Sequence, residues 1–178
     1  AEAFATYGVL DDGAVALPLR APRDVLSSYG GLQITTSSTA LSSLTEALIY
    51  LTKYPFNCSE QIASRVLGIL SLYDVLDAFE APGLPSREDL ENSLRIDLED
   101  LIGRQHDTGG FAPWKGRPHP FYTAHVVHAL LVAREAGFAV EGDVIEAGME
   151  SLAQRIDEDL AALKITGRRA ETIRAYAL

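Results

Sequence analysis

Tyr54-Pro55-Phe56-Asn57-Cys58-Ser59-Glu60-Gln61-Ile62-Ala63-Ser64-Arg65 holds the only cysteine of the chain, where a turn runs into a long helical pattern. Cys58 and Gln61 stand at i and i+3. Across the first turn of a helix, such a thiol and carboxamide lie on the same side, close enough to meet. Attack of the sulfur on the carboxamide carbon, with loss of ammonia, gives an internal thioester, an activated acyl group stored in the protein. A helix start also favours a thiolate, through unpaired backbone N–H groups and the positive end of the macrodipole. The same residues admit a plainer reading. Asn57 is then the N-cap and Glu60 the acid of a capping box, with Cys58 a small helix-start residue and Gln61 an ordinary polar one.

Outward from this stretch, the pattern is helical on both sides. Ala40, Leu41, Leu44, Ala47, Leu48 and Leu51 recur at helical spacing after the polar break Thr35-Thr36-Ser37-Ser38-Thr39. The helix carrying Cys58 and Gln61 in its first turn is apolar nearly all round, from Ile62 and Val66 to Phe79, which predicts burial on more than one side. Further helices are expected from about Ser86 to Gln105, Phe121 to Ala136, Asp143 to Leu163, and from Glu171 onward. Only the lead differs. Two β-forming runs, 5–10 and 14–19, flank Asp11-Asp12-Gly13 and read as a hairpin, with Val25-Leu26 and 31–35 as further short strands. That lead is too short to bury a core of its own.

A chain of 178 residues, 47% hydrophobic and 22% charged, has an ordinary globular composition. Its net charge of −10 argues against nucleic acid or an anionic membrane surface as partner, because phosphate binding needs clustered Lys and Arg. A single cysteine excludes an intrachain disulfide. No cofactor motif is present. Among the four histidines, His125 and His128 stand at i and i+3 on one predicted helix, yet two imidazoles without a carboxylate or thiolate make a poor metal site. His106 reads as a turn residue, His119 as a loop residue, and Asp97-Leu98-Glu99-Asp100 as a solvated helix face. A Cys-His protease needs a histidine folded against Cys58 and an oxyanion hole, and it leaves Gln61 without a role.

The segment from Tyr54 to Arg65 closely resembles the thioester segment of bacterial alpha-2-macroglobulins, Tyr-Pro-Tyr-Gly-Cys-x-Glu-Gln-Thr-x-Ser-Arg. Phe56, Asn57 and Ile62 depart from that pattern, and none of the three is a reacting group. Asn tolerates a left-handed backbone better than other non-glycine residues, so Asn57 in place of Gly keeps a tight turn open. Downstream, Gln105-His106-Asp107-Thr108-Gly109-Gly110-Phe111-Ala112-Pro113-Trp114 followed by Thr123-Ala124-His125-Val126-Val127 is similar to the turn and helix that α/α-toroid proteins, including macroglobulin thioester domains, carry at this distance. In that turn the glycines permit a tight bend, and Phe111 and Trp114 are expected to plug a core.

The resemblance implies a mainly α fold: a partial α/α toroid over 36–178, the N-terminal part of a thioester domain, preceded by a β segment over 1–35 from a linking, CUB-like module. A piece of a longer protein is expected, and an incomplete toroid exposes an apolar face that self-association can cover. As site residues the resemblance implies Cys58 and Gln61 as the thioester pair, Glu60 as part of the motif, and Tyr54 as an aromatic shield over the bond. It implies no cofactor and no metal. The expected function is single-turnover trapping of proteases in the periplasm, by a membrane-anchored parent protein whose other domains are partners of this one. Complement-like relatives use a histidine from later in the domain to redirect the thioester toward hydroxyls. Residues 165–178 contain none, so direct attack by lysine amines is expected. Two alternatives remain: an inert macroglobulin-like scaffold in which Cys58 stays free, and an α/α-toroid enzyme acting on isoprenoids or glycans.

Overall fold

The computed structural model describes residues 12–14, 16, 30–32, 34, 47, 49–52, 54, 56–76 and 85–178, without the side chains of 74–76. The chain divides into two units, Ala1–Ser37 and Ser38–Leu178. In the first, the Gly13 N–H donates to Asp12 Oδ1 at 2.8 Å, with Gly13 at φ 82°. The strands expected around that bend and at Val25-Leu26 fall wholly or largely outside the described residues, while in 31–35 the described residues 31, 32 and 34 are not in a strand. None of the described residues is in a strand.

The second unit is helical, as expected. Residues 47 and 49–52 are helical, and five helices follow: α1 (Ser59–Leu76), α2 (Arg87–Ile102), α3 (Pro120–Glu135), α4 (Gly142–Ala162) and α5 (Gly167–Ala177). Helix α3 is the hub and packs against α1, α4 and α5, while α2 packs on the other flank of α1. The main core joins Ile62, Val66 and Ile69 of α1, Leu90, Leu94 and Leu101 of α2, and Val126 and Leu130 of α3. Each is at most 1% exposed, so these stripes stabilise the unit by roughly 1.5–3 kcal/mol per side chain. A smaller cluster, Leu160, Ala170 and Ile173, seats α5 on α4 beside Phe121.

The helix ends follow local chemistry. Ser86 caps α2, its hydroxyl accepting from the Asp89 N–H while the Asp89 carboxylate reaches back to the Ser86 N–H, a complete capping box. Helix α2 stops at Ile102, before Gly103, and not at Gln105. His119, expected in a loop, caps α3. Its Nδ1 accepts from the Phe121 N–H at 3.1 Å, and Pro120 occupies the first helical position. Helix α5 starts at Gly167, earlier than Glu171, because its polar first turn carries no apolar period to reveal it.

The turn between α2 and α3 explains its two glycines. Gly109 has φ 78°, and a Cβ there falls 2.1 Å from the Ala147 carbonyl oxygen of α4. A Cβ on Gly110 falls 2.7 Å from Pro118. This close approach lets Phe111 reach the core at 0% exposure. Trp114, expected there too, is 56% exposed. The Phe111 N–H and the His119 N–H both close the loop, onto Thr123 Oγ1 and the Phe111 carbonyl, and that closure turns the Trp114 side of the loop outward.

Candidate functional site

Helix α1 begins one residue later than the plain capping reading requires. Its first helical residue is Ser59, and the Cys58 carbonyl accepts the first intrahelical bond, from Ile62 N–H at 3.0 Å. Cys58 therefore holds the cap position and Gln61 the third helical position. The Gln61 side chain reaches back, and its Oε1 accepts from the Cys58 N–H at 3.1 Å. This is the return half of a capping box, made by Gln61 and not by Glu60. The contact brings the cysteine backbone and the carboxamide of the expected pair together. Cys58 is half-buried and in no disulfide.

Asn57, expected as the cap, has another use. Its side-chain oxygen accepts from both terminal nitrogens of Arg65 at 3.3 Å, and its carbonyl accepts from Arg104 Nη1 at 2.8 Å. Arg65 is held in turn by Asp97, with Nε to Oδ2 at 2.7 Å and Nη2 to Oδ1 at 2.6 Å. That hydrogen bond raises the Arg65 pKa above its ordinary value, against the opposing effect of burial. Arg104 is forked onto Asp100 at 2.8 and 2.7 Å. The stretch from Asp97 to Asp100 is thus a solvated face only in part, with Glu99 and Asp100 exposed and Asp97 and Leu98 buried. Asp97 is 5% exposed, and both carboxylates anchor arginines that grip the residue before the cysteine.

Glu60 bonds sideways along the helix. Its Oε1 accepts from Ser64 Oγ at 3.0 Å, Ser64 meets His125 Nε2 at 2.9 Å, and the Tyr176 hydroxyl of α5 meets the Nδ1 atoms of His125 and His128 at 2.7 and 3.0 Å. The directions follow from counting protons. Ser64 spends its only proton on the carboxylate, so His125 donates from Nε2 and accepts at Nδ1 from Tyr176, and His128 donates from Nδ1 to the tyrosine oxygen. Burial pushes the His125 pKa down, and Glu60 partly offsets this. The histidine pair shares a tyrosine hydroxyl, and among the described residues no cluster could hold a metal.

Tyr54 lies between Tyr50 and Phe56, with ring centroids 5.5 and 5.6 Å away, so an aromatic row leads up to Cys58. On the other side, the Ser59 N–H donates to the Pro113 carbonyl at 2.8 Å, tying the start of α1 to the loop that carries Phe111. Ser59 is fully buried, and its hydroxyl has no partner among the described residues.

Comparison with known proteins yields a consistent set of relatives, although no family model matches the chain. The alpha-2-macroglobulin homolog of Yersinia pestis is 34% identical over 151 residues, 80% of this chain and 7% of that protein. The crystal structure of native Escherichia coli alpha-2-macroglobulin, spanning domain MG7 to the C-terminus, matches with a TM-score of 0.59 and 30% identity, over 75% of this chain and 22% of that one. The chain belongs to the bacterial alpha-2-macroglobulin family. It is also 31% identical to the Circularly permutated Ras protein 2 of Dictyostelium discoideum over 146 residues, 76% of this chain and 4% of that protein. The chain thus spans less than a tenth of the length of either curated relative.

Within this alpha-2-macroglobulin segment, motif reading located Cys58, Gln61, Glu60 and Tyr54 but not the residues that hold them. Asp97, Asp100, Arg104, His125 and Tyr176 are between 39 and 118 positions after Cys58, far beyond any local pattern. One signal existed. Arg65 is the sole basic residue of a helix otherwise apolar on most sides, and a buried guanidinium demands a carboxylate.

Proposed function

We propose that this chain is the thioester-bearing part of an alpha-2-macroglobulin-like protease trap, with Cys58 and Gln61 as the bonded pair. The observation that carries the reading is the 3.1 Å hydrogen bond from the Cys58 N–H to Gln61 Oε1 across the first turn of α1. It folds the carboxamide back over its partner residue and polarises the carbonyl toward attack. In the first step Cys58 Sγ adds to the Gln61 Cδ, the C–N bond breaks, and ammonia leaves with the thiol proton. In the second, a lysine amine of a target protease adds to the same carbon, the C–S bond breaks, and the amine proton passes to the departing sulfur. The product is an isopeptide-like amide and a free thiol. The acyl group is spent once, so the protein is an inhibitor and not a catalyst.

Tyr54 and its aromatic neighbours serve as a shield that keeps water from the waiting bond. The residues beyond this segment supply the bait that a protease cleaves, and the parent protein acts in the periplasm, anchored at the membrane. No helix among the described residues is long and apolar enough to cross a membrane.

Intact-mass measurement on freshly purified protein tests the reading. The expected mass is short by one ammonia, rises on methylamine addition, and the addition exposes a titratable Cys58 thiol. Tyr54→Ala is expected to lose the ammonia deficit faster in buffer alone. Full sequence mass with a freely titrating thiol in the untreated protein refutes the trap and leaves the inert scaffold.

A further inference from the structure

The peptide unit between Asn57 and Cys58 is engaged at both ends. Its N–H donates to Gln61 Oε1 at 3.1 Å, and its carbonyl accepts from Arg104 Nη1 at 2.8 Å. A peptide group is planar and resonance-coupled, so a cation on its oxygen draws electron density from nitrogen and strengthens the N–H as a donor. Arg104 is preset for this contact. Asp100 takes its Nε and Nη2 in a fork, which leaves Nη1 for the carbonyl, and the side chain is 17% exposed. Arg65, fixed by Asp97, holds the Asn57 side chain of the same residue, which a glycine there has no group to offer. Asp97 and Asp100 stand at i and i+3, so one stretch of α2 anchors both grips.

We infer that Arg104 is a positioning residue for acyl chemistry at Gln61, acting through the Asn57–Cys58 peptide so that the Cys58 N–H serves as the oxyanion donor. The inference rests on the thioester reading. When Cys58 Sγ or a lysine amine adds to the Gln61 acyl carbon, the carbonyl π pair moves onto Oε1, the atom the Cys58 N–H already contacts. Collapse restores the carbonyl and expels ammonia in the first case and the Cys58 sulfur in the second. A donor oriented before the reaction requires no reorganisation during it. Arg104 contributes by fixing that orientation and by raising the donor strength of the peptide.

Arg104→Gln and Arg104→Lys test this in the whole protein with three readouts. Methylamine-driven release of the Cys58 thiol is expected to slow on the order of tenfold in Arg104→Gln, a fraction of the loss seen when an oxyanion donor is removed outright. Arg104→Lys, which retains a cation near the carbonyl, is expected to recover part of the rate. Alkylation of the released thiol by iodoacetamide is expected to keep its wild-type rate, since it needs no acyl activation. The Cys58 amide proton is expected to move upfield and exchange faster in Arg104→Gln. A methylamine rate within about twofold of wild type overturns the inference, as does equal slowing of aminolysis and alkylation. If the wild-type protein shows no ammonia deficit, it is the thioester reading that fails. The amide signal then decides for Arg104 alone: a shifted Cys58 amide sustains its hold on the peptide, and an unmoved one overturns it.

Discussion

Replacing Asp97 by Ala tests the least expected element of the site. Asp97 and Arg65 are 5% and 7% exposed and joined by two bonds of 2.6 and 2.7 Å. The substitution removes both acceptors and leaves the buried guanidinium hydrogen-bonded, among the described residues, to Asn57 Oδ1 alone at 3.3 Å, with the Asp100 charge acting on it without a hydrogen bond. Removing one partner of such a pair costs about 3–5 kcal/mol, because an unpaired charge stays behind. At about 2–4 °C per kcal/mol for a domain of this size, Tm falls by roughly 6–20 °C. Urea unfolding followed by far-UV circular dichroism gives the free energy directly. Arg65→Met combined with Asp97→Ala should recover much of the loss, since no charge then remains without a partner. A single-variant loss below about 1 kcal/mol refutes the argument, because that is what a solvated ion pair contributes.

Two further perturbations read the packing and the titrating groups. Gly109→Ala places a methyl group 2.1 Å from the Ala147 carbonyl oxygen at φ 78°, and should cost about 2–4 kcal/mol by displacing α4 or the turn; an unchanged Tm contradicts that packing. His125 and His119 both have pKa values lowered by burial, so below about pH 6.5 the unfolded chain binds more protons than the folded one. Their stabilising contribution is full above that pH and declines as the pH falls. Around His125, Glu60 of α1 opposes the shift, while His128 of α3 adds to it and Tyr176 of α5 faces it as a neutral hydroxyl. His125→Gln should flatten urea midpoints plotted between about pH 7 and 5, and an unaltered slope removes His125 from the acid response.

Periodicity made α1 through α4 legible, because each carries at least four turns and an apolar stripe. It failed at the start of α5, where Gly167-Arg168-Arg169 offers no stripe, and at Asp97, where a charge in a polar-looking run is buried by its partner. The cysteine motif was legible as a family signature but not as geometry. Asn57, a better N-cap by residue type, lost that position to Cys58 because two arginines occupy its side chain and carbonyl. Trp114 is exposed although Phe111, three residues earlier in the same turn, is fully buried. Apolarity alone did not separate them. The tight approach of Gly109 and Gly110 to α4 and Pro118 did.

The first turn of α1 also redistributes the electrostatic help that a helix start offers. Sequence reasoning directed that help to the sulfur, as stabilisation of a thiolate by free backbone donors. In the structure, the Ser59 N–H is taken by the Pro113 carbonyl at 2.8 Å and the Cys58 N–H by Gln61 Oε1 at 3.1 Å. The Cys58 N–H therefore acts on the Gln61 carboxamide oxygen. Under the proposed trap, in which Gln61 first accepts a thiol and later an amine, this is the more useful arrangement, since both additions place charge on that same oxygen. A donor aimed at sulfur assists only the state in which sulfur is charged. In the proposed chemistry, one aimed at the carbonyl lowers the barrier to forming the bond and to spending it, which is why the proposal assigns the aromatic row at Tyr54 the task of keeping water from that carbon.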